Sequence, residues 1–285
     1  MSWKNCIKII NNLYDNIDNY EIANLYWQEL VNETNNVNHE KPYHISKILE
    51  LIQNNIKLSI LDHGCGSGKT VVYLISLGFI NSKGIDVYTN SEKFNNFFIK
   101  KFNLKSPVFY NYDGLHLPFE NESFDFIFSQ QVLEHVETKF IDNYFKEEKR
   151  TLKNNSKVYH QIPHLLVPYE SHVKIWFAHW LPKSLQNFVY RFFKIDIDYF
   201  HSNIFLRTPR FFLNKLDFFI GKTIIISKDR FKSKKKMAYY DGSIVIRNII
   251  QKLFLLPIIG NILLNILIRF TMLETLSIKN IKNAK

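Results

Sequence analysis

A short apolar strand followed by three glycines at alternate positions constrains the fold of this chain more than any other feature. The apolar run covers residues 58–61, and the residues after it are Asp62-His63-Gly64-Cys65-Gly66-Ser67-Gly68. A helical pattern over 69–77 follows, and Gly78 is placed to end it. Glycine has no Cβ, so alternating glycines let the backbone approach a ligand closely. The pattern predicts a strand–turn–helix unit that binds a ligand at its turn.

A second strand with an acidic end lies at the spacing expected for an adenosine-type cofactor. Residues 83–86 read Lys-Gly-Ile-Asp, and Asp86 comes 18 residues after Gly68. A carboxylate at this place can accept hydrogen bonds from both ribose hydroxyls. The glycine turn and Asp86 together therefore predict a nucleoside-binding site.

Three other interpretations of the glycine turn are weaker. A phosphate-binding P-loop needs a glycine at the position of His63, and Asp62 would repel a triphosphate. A dinucleotide-binding fingerprint needs its third glycine one residue later than Gly68. A tight turn without a ligand requires neither three glycines nor an acid at the spacing of Asp86.

The next ninety residues select one family. In order, they contain the motifs Asp113-Gly114, Leu117-Pro118-Phe119, Ser123-Phe124-Asp125 and Leu133-Glu134-His135-Val136, the last predicted to begin a helix. Together with the glycine turn and Asp86, this order resembles the class I S-adenosylmethionine-dependent methyltransferases, most of all their small-molecule and lipid-type branch. The resemblance covers about residues 55 to 165.

The resemblance implies an α/β fold, namely a Rossmann-like, doubly wound, mixed seven-stranded sheet with helices on both faces. We expect a helical N-terminal cap over 1–57 and a methyltransferase core over 58–247 with a substrate-side insertion at about 163–210. An apolar and basic helical tail is expected over 248–285. Beyond the first two strands, the expected strands are 108–110, 124–128, 158–162, 223–227 and, as the seventh, 243–246.

The resemblance also implies roles toward S-adenosylmethionine, the expected cofactor. Asp62 would order the glycine turn near the amino group of the methionine moiety, and Asp86 would bind the ribose hydroxyls. Asp113 would bind the adenine amino group with Gly114 beside the ring, and Gln130 would contact the methionine portion. The floor under the cofactor would be formed by Gly64, Cys65, Gly66 and Gly68.

One departure from the family's pattern precedes the fifth strand. Arg150-Thr151-Leu152-Lys153 fits, but Asn154-Asn155-Ser156 stands where the family often has Pro-Gly-Gly. Asparagine tolerates the left-handed conformation better than most residues. We therefore expect the connection into the fifth strand to be preserved.

The segment after the fifth strand is rich in aromatic residues and histidines, as suits an acceptor pocket or lid. Loops after the fourth and fifth strands lie at the carboxyl edge of such a sheet, where ligands bind. Methyl transfer to a hydroxyl also requires removal of its proton. The candidate bases are His135, His164, Glu170 and His172. We favour His172 with Glu170 nearby and retain His135 as a catalytic candidate. For each of these residues, the alternative interpretation is that it only packs in an aromatic cluster.

No metal site is expected from the motifs. His160 and His164 would stand about 13 Å apart on a strand, and no Cys-x-x-Cys or His-Glu-x-x-His run accompanies them. DNA is an improbable substrate, because Ser129-Gln130-Gln131-Val132 stands where amino-methylating DNA enzymes have Asn/Asp-Pro-Pro-Tyr.

Cysteine content and the N-terminal residues indicate the cytoplasm. Cys6 and Cys65 are too few for a disulfide framework, and Cys65 belongs to the glycine turn. The polar, asparagine-rich N-terminal segment does not resemble a secretory signal. A chain of 285 residues with 46% hydrophobic and 22% charged residues has the composition of a globular protein.

Positive charge is concentrated in the C-terminal third. Residues 191–285 carry 18 Lys and Arg against 6 Asp and Glu, whereas residues 1–190 carry 19 against 20. The densest patch, 228–236, is followed by an uncharged apolar stretch over 253–268 that is too short to span a bilayer. This pairing is typical of peripheral contact with anionic membrane. Packing of the stretch on the protein or in a homodimer is the other interpretation.

We therefore expect methyl transfer to a hydroxyl or similar nucleophile on a small molecule, glycan or lipid-linked precursor. Two other functions remain open. A non-catalytic scaffold would bind S-adenosylmethionine without turnover. An RNA-modifying enzyme would bind RNA through the basic C-terminal third, and neutralising Lys234, Lys235 and Lys236 would weaken that binding.

Overall fold

The computed structural model describes residues 3–232, 262 and 265–279. The described chain begins with three helices, α1 (Trp3–Asp15), α2 (Tyr20–Asn35) and α3 (Tyr43–Leu51). The side chain of Asn19 caps α2 by accepting a hydrogen bond from the Ile22 amide at 3.3 Å. The helical nature of the N-terminal segment is therefore confirmed.

Strands and helices then alternate, as a doubly wound fold requires. The strands are β1 (Ile60–His63), β2 (Ser82–Asp86), β3 (Phe109–Asn111), β4 (Phe124–Gln130), β5 (Leu152–Ile162), β6 (Tyr169–Glu170), β7 (Ile175–Trp176), β8 (Thr223–Ile225) and β9 (Leu273–Ile278). The further helices are α4 (Lys69–Ser76), α5 (Phe94–Phe102), α6 (Ile141–Thr151), α7 (Lys183–Phe192), α8 (Ile197–Asn203), α9 (Pro209–Phe219) and α10 (Asp229–Lys232).

Seven strands form one mixed sheet in the order β3-β2-β1-β4-β5-β9-β8, and β6 and β7 form a separate antiparallel pair. β1 pairs in parallel with both β2 and β4, so that Ile60 lies opposite Ser82 on one side and Phe126 on the other. β8 and β9 are antiparallel. The strand order reverses at β1, and sheets of this kind bind their ligands at such a switch point. The expected Rossmann-like fold is confirmed.

The seventh strand is not where the sequence suggested. The candidate at 243–246 lies outside the described residues, and the place beside β5 is taken by β9, inside the segment expected to be a helical tail. β9 is almost wholly buried although its sequence is Leu-Glu-Thr-Leu-Ser-Ile. Its polar side chains have specific partners, since Glu274 pairs with Gln161 and with Arg230. Such a strand lacks the apolar run by which buried strands are recognised.

Part of the expected apolar helix at 253–268 can be compared with the structure. Residues 262 and 265–267 are helical, and a short 3₁₀ turn covers Ile268–Phe270. Residues 233–261 and 263–264, which include the other part of that stretch and Lys234, Lys235 and Lys236, lie outside the described residues.

The helix after β4 begins later than predicted. Residues 131–140 form turns, and α6 begins only at Ile141. Gln131 has a φ of +55°, which is incompatible with a right-handed helix. The sequence Leu133-Glu134-His135-Val136 therefore lies in a loop.

The unusual asparagine run before the fifth strand was interpreted correctly. α6 ends at Thr151, and β5 begins at the next residue, Leu152. Within β5, Asn155 adopts a φ of +59°. The left-handed residue expected here is an asparagine, and the connection into β5 is preserved.

The chain forms two compact units, residues 1–129 with 147–159, and residues 130–146 with 160–285. The first holds the N-terminal helices, the glycine turn and β1–β3. The second holds the hairpin β6–β7 and the helices α7–α9, and it has a small core formed by Ala178, Tyr190, Phe200 and Ile204. These discontinuous units differ from the expected consecutive division at 57 and 247, which stays a prediction.

Candidate functional site

The glycine turn after β1 has the backbone that its sequence implies. Gly64, Gly66 and Gly68 have φ values of +92°, +50° and +72°. L-residues with a Cβ rarely adopt such values. The amides of Gly64 and Cys65 both donate to the carbonyl of Ile85, at 2.8 and 3.0 Å, and thereby tie the turn to β2.

Two of these glycines serve different purposes. A Cβ on Gly68 would lie 2.6 Å from a ring carbon of Phe109 and 2.8 Å from the Cβ of Ser91. The packing of these two side chains therefore leaves no room for a side chain at this position. A Cβ on Gly66 would meet nothing within 4 Å. Gly68 is therefore required by the protein's own packing, whereas Gly66 faces open space in which a ligand can lie.

The two acidic residues that were predicted at the ends of the first two strands lie together at the turn. Asp86 accepts hydrogen bonds from the amide of Gly66 at 2.8 Å and from the amide of Tyr88 at 3.2 Å. Asp62 is buried, and this burial, together with the charge of Asp86, raises the pKa of its carboxyl well above the usual value. The structure thus brings Asp62, Asp86 and the glycine turn together.

Residues that the sequence analysis did not single out complete the turn. The hydroxyl of Thr89 donates to the carbonyl of Gly66 and also contacts the hydroxyl of Ser91 at 2.6 Å. Gly84 leaves room for Cys65, because a Cβ there would lie 2.9 Å from the Cys65 sulfur. Burial, followed by the charges of Asp62 and Asp86, raises the pKa of the Cys65 thiol, so this thiol is neutral and serves as packing.

Asp113 caps its own turn. Its carboxylate accepts hydrogen bonds from the amides of Leu115 and His116 at 2.7 and 2.8 Å. These bonds lower the pKa of Asp113, and the bond from the His116 amide has the largest effect. Gly114 has a φ of +78°, and a Cβ on it would lie 3.2 Å from Val87, the residue after Asp86. The expected contacts of Asp113 and Gly114 with adenine stay predictions.

The end of β1 is anchored by a buried polar network. The Nδ1 of His63 lies 3.1 Å from a carboxylate oxygen of Glu148, and its Nε2 lies 2.9 Å from the Tyr112 hydroxyl. Both His63 and Glu148 are almost inaccessible to solvent. This network holds the strand from which the glycine turn starts.

Helix α1 contributes to a pocket beside the glycine turn. The pocket has a volume of about 220 Å³. It is lined by Ile10, Asn11 and Tyr14 of α1 and by Ser67, Lys69, Asn90, Ser91 and Phe94.

The remaining cofactor candidate, Gln130, ends β4 and belongs to the second unit. Its side-chain nitrogen Nε2 is buried and has no hydrogen-bond partner among the described residues. Buried amide donors normally find an acceptor. The expected contact of Gln130 with the methionine portion of the cofactor stays a prediction.

The three catalytic candidates meet in the second unit. The Nδ1 of His172 donates to a carboxylate oxygen of Glu170 at 2.6 Å. The Nε2 of His172 lies 3.2 Å from the Nε2 of His135. His135 lies in the loop after β4, and Glu170 lies in β6, which follows β5 along the chain.

A fourth residue, Glu134, belongs to the same cluster. Its side chain is completely buried, and neither carboxylate oxygen has a hydrogen-bond partner among the described residues. The Nε2 of His135 lies 4.0 Å from its Oε1. The Leu-Glu-His-Val motif contained this residue, but the sequence analysis assigned it no role.

The charges of these groups follow from their surroundings. The hydrogen bond that His172 donates to Glu170 raises the pKa of His172. Burial opposes ionisation of Glu170, but hydrogen bonds from His172 and from the Val173 amide outweigh it, and the pKa of Glu170 is lowered. Burial raises the pKa of Glu134 to about 7.

His164, the remaining base candidate, has another function. Its Nε2 donates to the carbonyl of Thr271 at 2.7 Å, and its Nδ1 accepts from the Leu166 amide at 3.2 Å. Burial lowers its pKa to about 4. With both ring nitrogens bonded to the backbone, His164 is a structural residue.

Two clusters in the described part of the chain bring metal-binding atoms within 4.8 Å of one another. One is Glu134, His135 and His172, and the other is Cys6, Glu33 and His39. In the second cluster, His39 bonds to Glu33 and to the Tyr73 hydroxyl, at 3.2 and 2.8 Å. Burial raises the pKa of the Cys6 thiol to about 12. A neutral thiol and an engaged histidine make this second cluster a structural network.

Among the described residues, no helix has the length and apolarity to cross a membrane.

The strand order, the glycine turn and the acid after β2 define a nucleoside-binding α/β fold, and comparison with known proteins identifies its class. The family described as "Methyltransferase domain" matches residues 61–160. The chain belongs to the class I S-adenosylmethionine-dependent methyltransferases, and its cofactor is S-adenosylmethionine. The open space at Gly66 fits such a cofactor.

Relatives are similar over most of the chain. The uncharacterized protein MJ0638 of Methanocaldococcus jannaschii is 30% identical over 218 residues, which cover 74% of this chain and 87% of that protein. Among solved structures, the YcgJ protein of Bacillus subtilis has a TM-score of 0.45 at 15% identity and covers 84% of this chain and 99% of its own. Geranyl diphosphate C-methyltransferase from Streptomyces coelicolor A3(2) has a TM-score of 0.44 at 13% identity, covering 82% of this chain and 77% of its own.

Proposed function

We propose that the protein transfers the methyl group of S-adenosylmethionine to a hydroxyl or similar nucleophile on a small molecule, glycan or lipid-linked precursor. His135, Glu170 and His172 activate the acceptor. The observation that carries this proposal is the contact of His172 with Glu170 at 2.6 Å and with His135 at 3.2 Å.

The position of the cluster in the topology supports an acceptor site. His135 follows the end of β4, and Glu170 and His172 follow the end of β5. In open α/β sheets, ligands bind at the carboxyl ends of the strands. The side chain of His135 is 41% exposed and that of His172 is 25% exposed, so both can reach a dissolved substrate.

The chemistry needs a group that takes a proton. S-adenosylmethionine supplies an electrophilic methyl group on a sulfonium. The acceptor oxygen forms a bond to the methyl carbon as the carbon–sulfur bond breaks, and alignment of the two supplies most of the rate. Glu170 holds the Nδ1 hydrogen of His172, which leaves the lone pair on Nε2 to receive the hydroxyl proton.

The test offers the protein a panel of hydroxyl-bearing acceptors and measures methyl transfer by the release of S-adenosylhomocysteine. We expect the His172→Gln variant to lose about 10²–10⁴-fold in kcat, the range typical of general acid–base groups, with unchanged affinity for S-adenosylmethionine. The His201→Gln variant removes an exposed histidine of the same unit and should behave as wild type.

Other outcomes distinguish the competing functions. Cofactor binding without turnover on any acceptor would support a non-catalytic scaffold. Salt-sensitive binding of RNA, with methylation of it, would support the RNA-modifying alternative. Turnover that His172→Gln leaves intact would contradict the role given to the cluster.

We propose, second, that the protein is cytoplasmic and makes peripheral contact with anionic membrane. The described part of the chain offers a surface on α7 for this contact. Leu185, Phe188 and Phe192 share one face of this helix and are 53%, 69% and 74% exposed. Lys183 and Arg191 on the same helix are also exposed. An apolar helical face with flanking basic residues is typical of helices that lie in a membrane interface.

Sedimentation of the full chain with vesicles tests this contact. We expect binding to vesicles that contain phosphatidylserine, and loss of it in the Phe188→Ser, Phe192→Ser double variant. Phe218→Ser is the matched control, because Phe218 is 72% exposed on α9. If the double variant binds vesicles as wild type but dissociates a dimer, the surface is a homodimer interface and the membrane proposal fails.

A further inference from the structure

The cluster of Glu134, His135 and His172 contains two imidazole nitrogens in an unusual arrangement. The Nδ1 of His135 lies 3.0 Å from the backbone carbonyl of Asn203, and the Nδ1 of His172 lies 2.6 Å from Glu170. A carbonyl and a carboxylate accept hydrogen bonds, so both Nδ1 atoms carry hydrogens. In the neutral rings both Nε2 atoms then present lone pairs.

These two lone pairs face one another. The Nε2 atoms are 3.2 Å apart. Two nitrogen lone pairs at this distance repel unless a proton or a metal ion lies between them. Two metal–nitrogen bonds of about 2.0–2.1 Å at a tetrahedral angle separate their nitrogens by about 3.3 Å, close to the distance observed.

The third donor is the carboxylate of Glu134. Its burial would be costly without a partner of opposite charge, and among the described residues no hydrogen bond compensates either oxygen. Its Oε1 lies 4.0 Å from the Nε2 of His135. A cation bound to both histidines would also neutralise this carboxylate.

We propose that Glu134, His135 and His172 bind a divalent transition-metal ion such as Zn²⁺. Two imidazoles and one carboxylate form a donor set of catalytic zinc sites, in which a further position stays open for water or substrate. Mg²⁺ and Ca²⁺ prefer oxygen ligands throughout and suit this set poorly.

The surroundings of the three side chains resemble those of a metal site. Metal-binding histidines usually donate their second ring hydrogen to a carboxylate or backbone carbonyl, as His172 does to Glu170 and His135 to Asn203. Hydrogen bonds from a distant segment of the chain hold the loop that carries Glu134 and His135. The amide of Phe205 donates to the Glu134 carbonyl at 2.6 Å, and Arg207 donates to the carbonyls of Leu133 and Val136 at 3.1 and 2.6 Å.

The function of the ion rests on the proposed methyl transfer, whereas binding of the ion does not. An acceptor hydroxyl that occupies the open position would become more acidic and lose its proton to solvent before the methyl group is transferred. In the loaded protein His172 is then a ligand, and the ion takes over the activation that a free imidazole would otherwise provide.

Metal titration of the full chain tests the site. Protein stripped with a chelator is titrated with Zn²⁺, with Mg²⁺ for comparison, and its thermal unfolding is recorded at each step. We expect one equivalent of Zn²⁺ to bind and to raise the unfolding temperature, with at least tenfold weaker binding of Mg²⁺. His135→Gln, His172→Gln and Glu134→Gln should each weaken Zn²⁺ binding at least tenfold, and Glu170→Gln about 10–100-fold.

His201→Gln is the matched control and should bind Zn²⁺ as wild type. S-adenosylmethionine binding, measured on the same samples, shows that each variant is folded. Well-folded wild type that binds no Zn²⁺, or ligand variants that bind it as wild type does, would overturn the metal site and leave the methyltransferase proposal intact. Stoichiometric Zn²⁺ binding without turnover on any acceptor would support the metal site and count against the proposed function.

Discussion

The backbone amide of Gly66 donates a hydrogen bond to the carboxylate of Asp86 at 2.8 Å. Gly66 lies in the turn after β1, and Asp86 ends β2, 20 residues further along the chain. The bond joins the two motifs from which a nucleoside site was predicted. The floor of the site and its acidic residue are therefore one rigid unit.

Asp86→Ala should weaken S-adenosylmethionine binding by about 1.5–3 kcal/mol, the magnitude typical of hydrogen bonds to a charged group. The variant also frees the Gly66 amide, which adds to the effect. Calorimetric titration measures the change, and Asp198→Ala, at an exposed residue of α8, is the control. Unchanged affinity in a folded Asp86→Ala protein would show that this carboxylate does not bind the cofactor.

Gly66→Ala and Gly68→Ala should differ in their effects on the free energy of unfolding and on cofactor affinity. Gly68→Ala forces a Cβ to 2.6 Å from Phe109, and strain at positive φ adds to this clash. We expect a loss of roughly 2–4 kcal/mol in the free energy of unfolding. Gly66→Ala meets open space, so its loss of stability should be about 1–2 kcal/mol.

Cofactor affinity separates the two variants further. Gly66→Ala places a methyl group in the space that we assign to S-adenosylmethionine and should reduce binding at least tenfold. Denaturant unfolding and calorimetric titration on the same preparations provide both measurements. Equal losses of stability in the two variants would contradict the distinction between a glycine required by packing and a glycine beside open space.

Arg150→Lys should destabilise the protein by roughly 1–3 kcal/mol, because a lysine cannot reproduce a planar fork of donors. Arg150 forms two bonds to Glu147, at 2.8 and 2.6 Å, and donates to the carbonyls of Phe119 and Leu117. These bonds hold the Leu-Pro-Phe segment to α6. Urea unfolding measures the loss, and Arg191→Lys on the exposed face of α7 should cost nearly nothing.

His164 should make the protein less stable in acid. Burial lowers its pKa from 6.5 to about 4 in the folded state, so between these values the unfolded chain binds a proton that the folded protein does not. The free energy of unfolding should be unaffected above pH 6.5 and should fall by roughly 2–3 kcal/mol as the pH drops to 4.

Unfolding curves between pH 4 and 7 for wild type and His164→Gln test this assignment. The variant will be less stable at pH 7, because it loses bonds to Thr271 and Leu166, but its dependence on pH should be shallower. The exposed His201→Gln control should follow the wild-type slope. Parallel curves for His164→Gln and wild type would show that another group causes the acid sensitivity.

Local sequence signals predicted some elements well and others poorly. The glycine turn and a left-handed asparagine in the Asn154-Asn155-Ser156 run were predicted because residue type restricts the backbone at each place. β9 was missed, since Glu274, Thr275 and Ser277 are buried there and hide the strand pattern. Its polar residues are tolerated because partners such as Gln161, 113 residues away from Glu274, satisfy them.

The proposed acceptor site shows the same limit of local sequence signals. His135, Glu170 and His172 were chosen as candidates from the loops they occupy, but His164 was ranked with them and proved structural. Glu134 was present in the Leu-Glu-His-Val motif and received no role. A side chain's partners depend on the packing of distant segments, which residue type does not reveal.

Residue type and spacing along the chain determined the class of fold and the cofactor loop, because the steric demands of glycine and the alternation of strands and helices are local. The approach of His135 to His172, across 37 residues, and the burial of Glu134 beside them were decided only in three dimensions. They depend on the loop after β4 being held by Phe205 and Arg207. Local backbone preferences carry no information about such long-range contacts, so this cluster of side chains became visible only in the folded chain.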